Sequence, residues 1–178
     1  KKRQKIISNM TEIISKVEQW SEDRGFFEKE SGVTFEAQFL KLYEEFGELC
    51  GSIVKGKDVK DDIGDNLVVL INLARINGFS LADILPENRA KLPSVINPIE
   101  PPISSAINVA IARYPLLYHV GNDIAFIDAY KSLESISESL GVDIKECLEI
   151  AYDEIKDRKG RMINGAFIKE GDYNEQNR

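Results

Sequence analysis

Glu44-Glu45-Phe46-Gly47-Glu48, followed one helix later by Asp62-Ile63-Gly64-Asp65, is the stretch on which the reading of this chain turns. Glu45 and Glu48 are three residues apart, as are Asp62 and Asp65, so each pair lies on one face of a helix. Like charges that close repel, and a chain that directs four carboxylates to one place has a cation to meet them. Hard oxygen donors on paired helices suit Mg²⁺ or Mn²⁺. The alternative is two solvated acidic faces, and the neighbouring residues decide between the two.

Two parallel stripes run along the helix that holds Glu45. Phe39, Leu42, Phe46, Leu49 and Ile53 follow a three–four spacing and form an apolar seam for a partner helix. Gln38, Lys41, Glu45, Glu48 and Lys55 fall on the next row. In the following helix Ile63, Leu67, Leu70 and Ala74 form the seam, with Asp62, Asp65, Val69 and Asn72 beside it. Gly51 and Gly56, with Lys57 and Asp58, mark a turn short enough to make the two helices antiparallel neighbours. Solvated faces lie opposite a seam. These acids lie next to one, where they can converge at a rim, and that placement favours a cation.

The chain has 178 residues, 43% hydrophobic and 30% charged, ordinary for a soluble globular protein of one or two small domains with a substantial core. A formal charge of −7 and a pI near 4.9 argue against a nucleic-acid surface, because phosphate backbones select basic faces. A small polyanion remains compatible, since a divalent ion reverses the local field. Cys50 and Cys147 are far apart, no CxxC occurs and His119 is the sole histidine, so no zinc set exists and free thiols in a reducing cytosol are expected. The apolar run Val68–Leu73 is broken by Asn72 and followed by Arg75, far short of a membrane span. Lys1-Lys2-Arg3 with Ile6-Ile7 imitates a signal-peptide start, but the apolar region fails at Ser8-Asn9. Residue 1 is not Met, so the natural first residue or residues are expected to be missing. The expected location is cytoplasmic.

Patterning gives helices throughout. Residues 2–20 place Ile6, Ile7, Met10, Ile13, Ile14 and Val17 on one face. Residues 25–34 read as a loop, with Thr34 as N-cap of the first acidic helix, and the second acidic helix ends near Gly78. Ser80 is placed to cap a helix over 81–91. Pro93, Pro98, Pro101 and Pro102 make 93–102 an extended connector. Helical patterns resume over 104–112, 123–140 and 143–159, and no strand alternation is evident. The expected architecture is all-α: a helical half over 1–92, the connector, a second half over 103–160 and a tail over 161–178. Either a weak repeat or a chance likeness of two helix-Gly-cap-helix units crosses the connector. At an offset of 63, Leu70, Gly78, Ser80, Leu81 and Leu85 meet Leu133, Gly141, Asp143, Ile144 and Leu148, and Asp65 meets Asp128. If the repeat is real, Asn108 and Ile111 stand where Glu45 and Glu48 would recur, and residues 86–140 are either a degenerate copy or an inserted packing layer.

The run Gln38-Phe39-Leu40-Lys41-Leu42-Tyr43-Glu44-Glu45-Phe46-Gly47-Glu48-Leu49, then Asp62-Ile63-Gly64-Asp65-Asn66-Leu67, resembles the signature of the MazG-like nucleoside triphosphate pyrophosphohydrolases, EExxE and ExxD on consecutive antiparallel helices. Trp20-Ser21-Glu22-Asp23-Arg24-Gly25 resembles a segment upstream of that signature in the family's small bacterial and phage members, and Tyr152 to Gly165 resembles their C-terminal ends. The likeness covers 17–85 and 141–170 and fades between them. Asp62 departs from the pattern: it stands where the family has Glu and is one methylene shorter.

The resemblance implies an antiparallel bundle of the MazG and dimeric-dUTPase type. It implies Glu45, Glu48, Asp62 and Asp65 as ligands of Mg²⁺, with Mn²⁺ as a substitute, and Glu44 or Glu45 beside the attacking water. Trp20, Gln38, Lys41, Asn66, Lys156, Arg158 and Lys159 are the residues it suggests for the substrate. Plain structural readings stand beside these: Trp20 as core and Lys41 as an i, i+4 partner of Glu45, while Asn66 and Asn72 are placed either to read base edges or ribose or to fill polar gaps. The cluster Lys156, Arg158, Lys159 and Arg161 would then complement a helix dipole, and His119, near Pro115, is structural. The implied reaction is hydrolysis of a (deoxy)nucleoside triphosphate to monophosphate and pyrophosphate, in a dimer or tetramer that controls a nucleotide pool. A purine deoxynucleotide such as dGTP is the expected substrate. A dUTPase-like or phosphoribosyl-ATP pyrophosphatase-like enzyme shares fold and acids, and a non-enzymatic helical adaptor is the alternative from another class. The chain has no Walker loop, and a di-iron bundle would need ExxH pairs that His119 does not supply.

Overall fold

Helix α3 (Lys60–Ile76) is the central element of the computed structural model, which describes residues 2–85 and 102–170. Its seam, Ile63, Leu67, Leu70 and Ala74, is fully buried, and so are Ile71 and Leu73. A helix apolar on several faces has to be covered on several sides. Helices α1 (Lys2–Asp23), α2 (Phe35–Lys55), α6 (Asp123–Ser139) and α7 (Ile144–Ile155) all pack against it. The short α4 (Leu81–Ile84) touches α1, α3 and α6, and α5 (Ile103–His119) pairs with α6. Apart from one hairpin, the described residues are all-α. No helix among them is long and apolar enough to cross a membrane.

Helix α2 starts where Thr34 caps it, the Thr34 Oγ1 accepting the Ala37 amide at 3.1 Å. Leu42, Phe46 and Leu49 are buried against the core, each worth about 1.5–3 kcal/mol on transfer from water. The helix runs through Gly51 and stops at Gly56, whose φ of 63° is the left-handed cap that glycine favours. Gly64 matters for a different reason: a Cβ there would stand 2.3 Å from the Cys147 carbonyl oxygen and 2.6 Å from the Ala151 Cβ. The missing side chain lets α7 lie directly on α3.

Four local expectations change. Helix α4 ends at Ile84, with Leu85 extended, and 86–101 lie outside the described residues, so most of the expected connector does too. Ser80 holds the N-cap position, but its hydroxyl donates to the Glu18 carboxylate, which itself accepts the Leu81 amide at 3.1 Å. Helix α5 continues through Pro115 to His119, farther than the patterning over 104–112 suggests. Helix α7 ends at Ile155, and β1 (Gly160–Ile163) pairs antiparallel with β2 (Ala166–Lys169) where a tail was expected. Asn164 and Gly165 form the turn at φ 50° and 82°, the positive pair that a two-residue hairpin with right-handed twist requires. Strands of four residues are too short for alternation to register. The hairpin is anchored by the Met162 amide donating to the Arg24 carbonyl at 3.1 Å and the Gly165 amide to the Ser31 carbonyl at 2.7 Å.

Candidate active site

A cavity of about 540 Å³ lies where α2 and α3 meet the end of α1, the end of α7 and the hairpin. Gln38, Lys41, Glu44 and Glu45 reach it from α2, and Asp65, Val68, Val69 and Asn72 from α3. Trp20, Phe26, Ile155, Arg158, Met162 and Phe167 line it too. Its lining therefore combines charged side chains with apolar and aromatic ones.

Among the charged residues Glu45 is buried, only 6% exposed. The Lys41 ammonium lies 2.6 Å from its Oε1 and 3.0 Å from Glu44 Oε2. Burial alone would lower the Lys41 pKa, but the contacts with Glu45 and Glu44 outweigh it and the net shift is upward. Asp65 has no such partner among the described residues. Burial pushes its carboxyl up to about 7, the negative charges of Asp61, Glu45 and Glu154 push the same way, and Arg158 opposes them. Burial also raises Asp61, with Glu154 the next cause. Two carboxylates that the spacing argument passed over, Asp61 and Glu154, thus share the field of Asp65.

The end of α7 is held by α1. The Trp20 Nε1 donates to the Ile155 carbonyl at 2.8 Å. Arg24 donates to the Lys156 carbonyl at 3.1 Å and, through Nε and Nη2, to the Arg158 carbonyl at 3.0 and 2.8 Å. The Arg24 guanidinium also lies 4.4 Å from the Trp20 ring centroid. Trp20 and Arg24, four apart on α1, therefore bind the last carbonyl of α7 and two just beyond it, and hold the backbone of Arg158 beside the cavity. Trp20 is half-buried, with one face under Arg24 and Phe167 at 5.8 Å from its centroid. It is a wall of the cavity as much as a core residue.

Of the four carboxylates read as metal ligands, Glu45 and Asp65 line the cavity; Glu48, exposed, and Asp62, half-buried, do not. Among the described residues no three His, Cys, Asp or Glu side chains converge closely enough to enclose a metal ion. The donor chemistry still fits a hard divalent cation, because Asp65 is desolvated among the negative charges of Asp61, Glu45 and Glu154, which the charge of Arg158 only partly offsets. Of the residues suggested for substrate, Trp20, Gln38, Lys41 and Arg158 are brought together. Asn66 is fully buried elsewhere, its Nδ2 donating to the Asp62 carbonyl at 2.8 Å. Lys156 is exposed and paired with Asp153 at 2.7 Å. Lys159 lines a separate groove with Asp23, Arg24, Arg161 and Glu170. His119 is exposed at the end of α5, its ring edge-on to Tyr118.

Residues 33–97 match the model of the MazG nucleotide pyrophosphohydrolase domain. Over that stretch the chain is similar to the MazG domain. The match contains the α2 and α3 walls of the cavity, whereas Trp20, Arg158 and the hairpin come from outside it. The chain is also 44% identical over 73 residues to an uncharacterized 18.2 kDa protein of the rep-hol intergenic region of Haemophilus phage HP1. That alignment covers 40% of this chain and 43% of the phage protein, so the chain spans under half of the relative's length. No solved structure matches the chain. Met162 and Phe167 escaped the sequence reading, although Asn164-Gly165 between two short apolar runs is a hairpin signal in its own right.

Proposed function

We propose that the MazG domain hydrolyses (deoxy)nucleoside triphosphates to nucleoside monophosphate and pyrophosphate. What carries this reading is the cavity itself: Glu45, Asp65, Lys41 and Arg158 line it together with apolar and aromatic side chains, Trp20, Phe26 and Phe167 among them. A polyphosphate with a flat base has that combination of charge and apolar surface. Glu45 and Asp65 would hold the divalent cation, Mg²⁺ or Mn²⁺, and the family pattern adds Glu48 and Asp62. When bound, that cation supplies charge neutralisation on the phosphates. Lys41 and Arg158 take up the remaining phosphate charge. Glu44, exposed at the mouth, accepts a proton from water as its oxygen bonds to the α-phosphorus. The bond from that phosphorus to the bridging oxygen breaks, and pyrophosphate leaves with the electron pair. Catalysis of this kind is positioning and electrostatics, with no side-chain nucleophile. We further propose that the working unit is a homo-oligomer in the cytoplasm.

A panel of nucleoside triphosphates with Mg²⁺ in ¹⁸O-water, resolved by chromatography and mass spectrometry, tests the reading. Monophosphate carrying the label, with unlabelled pyrophosphate, is expected. Nucleoside diphosphate with inorganic phosphate, or label in pyrophosphate, would overturn attack at the α-phosphorus. Neither turnover nor binding of any nucleotide would favour a helical adaptor.

A further inference from the structure

Asn72 lines the cavity from α3, two turns beyond Asp65 and so about 10 Å farther along the helix axis. It is 3% exposed, and Ser21, its neighbour on α1, is completely buried. The Ser21 Oγ donates to Asn72 Oδ1 at 2.7 Å and makes no other hydrogen bond among the described residues. That contact fixes the amide. If Oδ1 and Nδ2 changed places, the hydroxyl would have to accept, and its own proton would be stranded in a buried site. The Asn72 NH₂ has no partner among the described residues. It is also absent from the fully enclosed unpartnered atoms, which are Asn66 Oδ1, Arg75 Nε and the Tyr114 hydroxyl. An amide that is unpartnered, not enclosed and at the cavity wall presents its two N–H groups to the cavity. Phe26, whose amide donates to the Ser21 carbonyl at 3.0 Å, and Val69, one turn earlier on α3, make the surroundings apolar.

We propose that Asn72, oriented by Ser21, reads the substrate's base as a hydrogen-bond donor and selects bases with a carbonyl oxygen at the edge remote from the sugar. This rests on the pyrophosphohydrolase reading and refines its substrate class to 6-oxopurine or 4-oxopyrimidine nucleotides. Adenine and cytosine offer an amino group at that edge. Donor would then face donor in an apolar pocket with little water to rescue either, the arrangement a hydrogen-bonding site rejects most strongly. Asn72 is the specificity residue, and Ser21 is a positioning residue that acts through it.

The test is kcat/KM in competition within two pairs, dGTP against dATP and dUTP against dCTP, for the wild type, Asn72→Asp and Ser21→Ala. The wild type should favour the oxo member of whichever pair it turns over by about tenfold or more. Asn72→Asp keeps the shape and the Ser21 contact but turns an acceptor toward the base, so the preference should reverse. Ser21→Ala frees the amide to rotate, so the ratio should fall to within about twofold while turnover persists. A wild-type ratio near one, or a ratio unchanged in folded variants, overturns the inference and leaves the pyrophosphohydrolase reading standing. No turnover of any nucleotide by the wild type removes both. If Asn72→Asp does not fold, as judged by circular dichroism, Ser21→Ala decides alone.

Discussion

Asp65 shows how much of a site one residue can carry. Its carboxyl ionises near 3.8 in an unfolded chain and near 7 in the fold, because burial and the charges of Asp61, Glu45 and Glu154 disfavour the anion. The unfolded state therefore releases its proton first as pH rises, and linkage makes the slope of stability negative between those values. Metal-free protein should lose stability from about pH 4 to pH 7 and level off above, by about 2 kcal/mol once screening of a partly solvent-accessible group is allowed for. Melting temperatures in chelator across that range should show the decline for wild type and a flatter curve for Asp65→Asn; parallel curves would refute the account. Arg158 and Lys159 separate on kinetics. Arg158→Ala should lower kcat/KM by about tenfold, or 1.4 kcal/mol. Lys159→Ala, in the other groove, should stay within about twofold, and equal losses would place both at the phosphates. The row beside each apolar seam was legible, because 3.6 residues per turn sets it; that Glu45 and Asp65 on those rows line the cavity while Glu48 and Asp62 do not was not. Asp61 against Asp62 was not: neighbours on a helix differ by about 100° in direction, and which one shares the field of Asp65 depends on where α7 lies.

At the scale of elements, two glycines of the acidic motifs make opposite predictions. Gly64 has the Cys147 carbonyl against it, so Gly64→Ala must push α7 away, and Glu154 and Arg158 with it. A loss of about 1–3 kcal/mol is expected, together with reduced turnover. Gly47 has nothing within 4 Å of a built Cβ. Gly47→Ala should gain about 0.5–1 kcal/mol from helix propensity alone. Urea denaturation of the two variants checks both signs, and a neutral Gly64→Ala would show that α7 can yield without cost. The burial on α7 has a redox counterpart, since it raises the Cys147 thiol to about 12 and keeps it unreactive. Helices with a clear 3.6 period were legible, and the seams of α2 and α3 fell where spacing put them. The end of α7 was not, because the carbonyls at and just past it are bound by Trp20 and Arg24, more than a hundred residues away in sequence. No local pattern encodes a cap supplied from another helix.

Two features of the whole molecule are larger than any element. An offset of 63 carries the bounds of α3, Lys60 and Ile76, onto the bounds of α6, Asp123 and Ser139. Asp128, at the position of Asp65, is neutralised by Arg113 at 3.0 Å. We propose that the second half is a degenerate copy in which a side-chain cation stands where the first half would take a metal. The other feature is apolar surface left uncovered: Val54 is 86% exposed and Leu40 69% exposed on α2, with Tyr118 and Val120, at and just past the end of α5, each above 50%. Phe39 on α2 and Tyr118 on α5 lie 5.6 Å apart between ring centroids, so the α2 and α5 surfaces meet. Leu40 also lines the cavity, so a second chain seated over α2 would cover the site's mouth as it buried these residues. A stable interface needs about 800 Å² from each partner, and α2 with α5 offers an apolar start to one. Light scattering should give a mass of at least two chains. Val54→Glu, which adds a charge outside the cavity, should shift the protein toward monomer and make turnover per chain fall on dilution. A monomer mass for wild type, with turnover per chain independent of concentration, would mean that one chain completes the site alone.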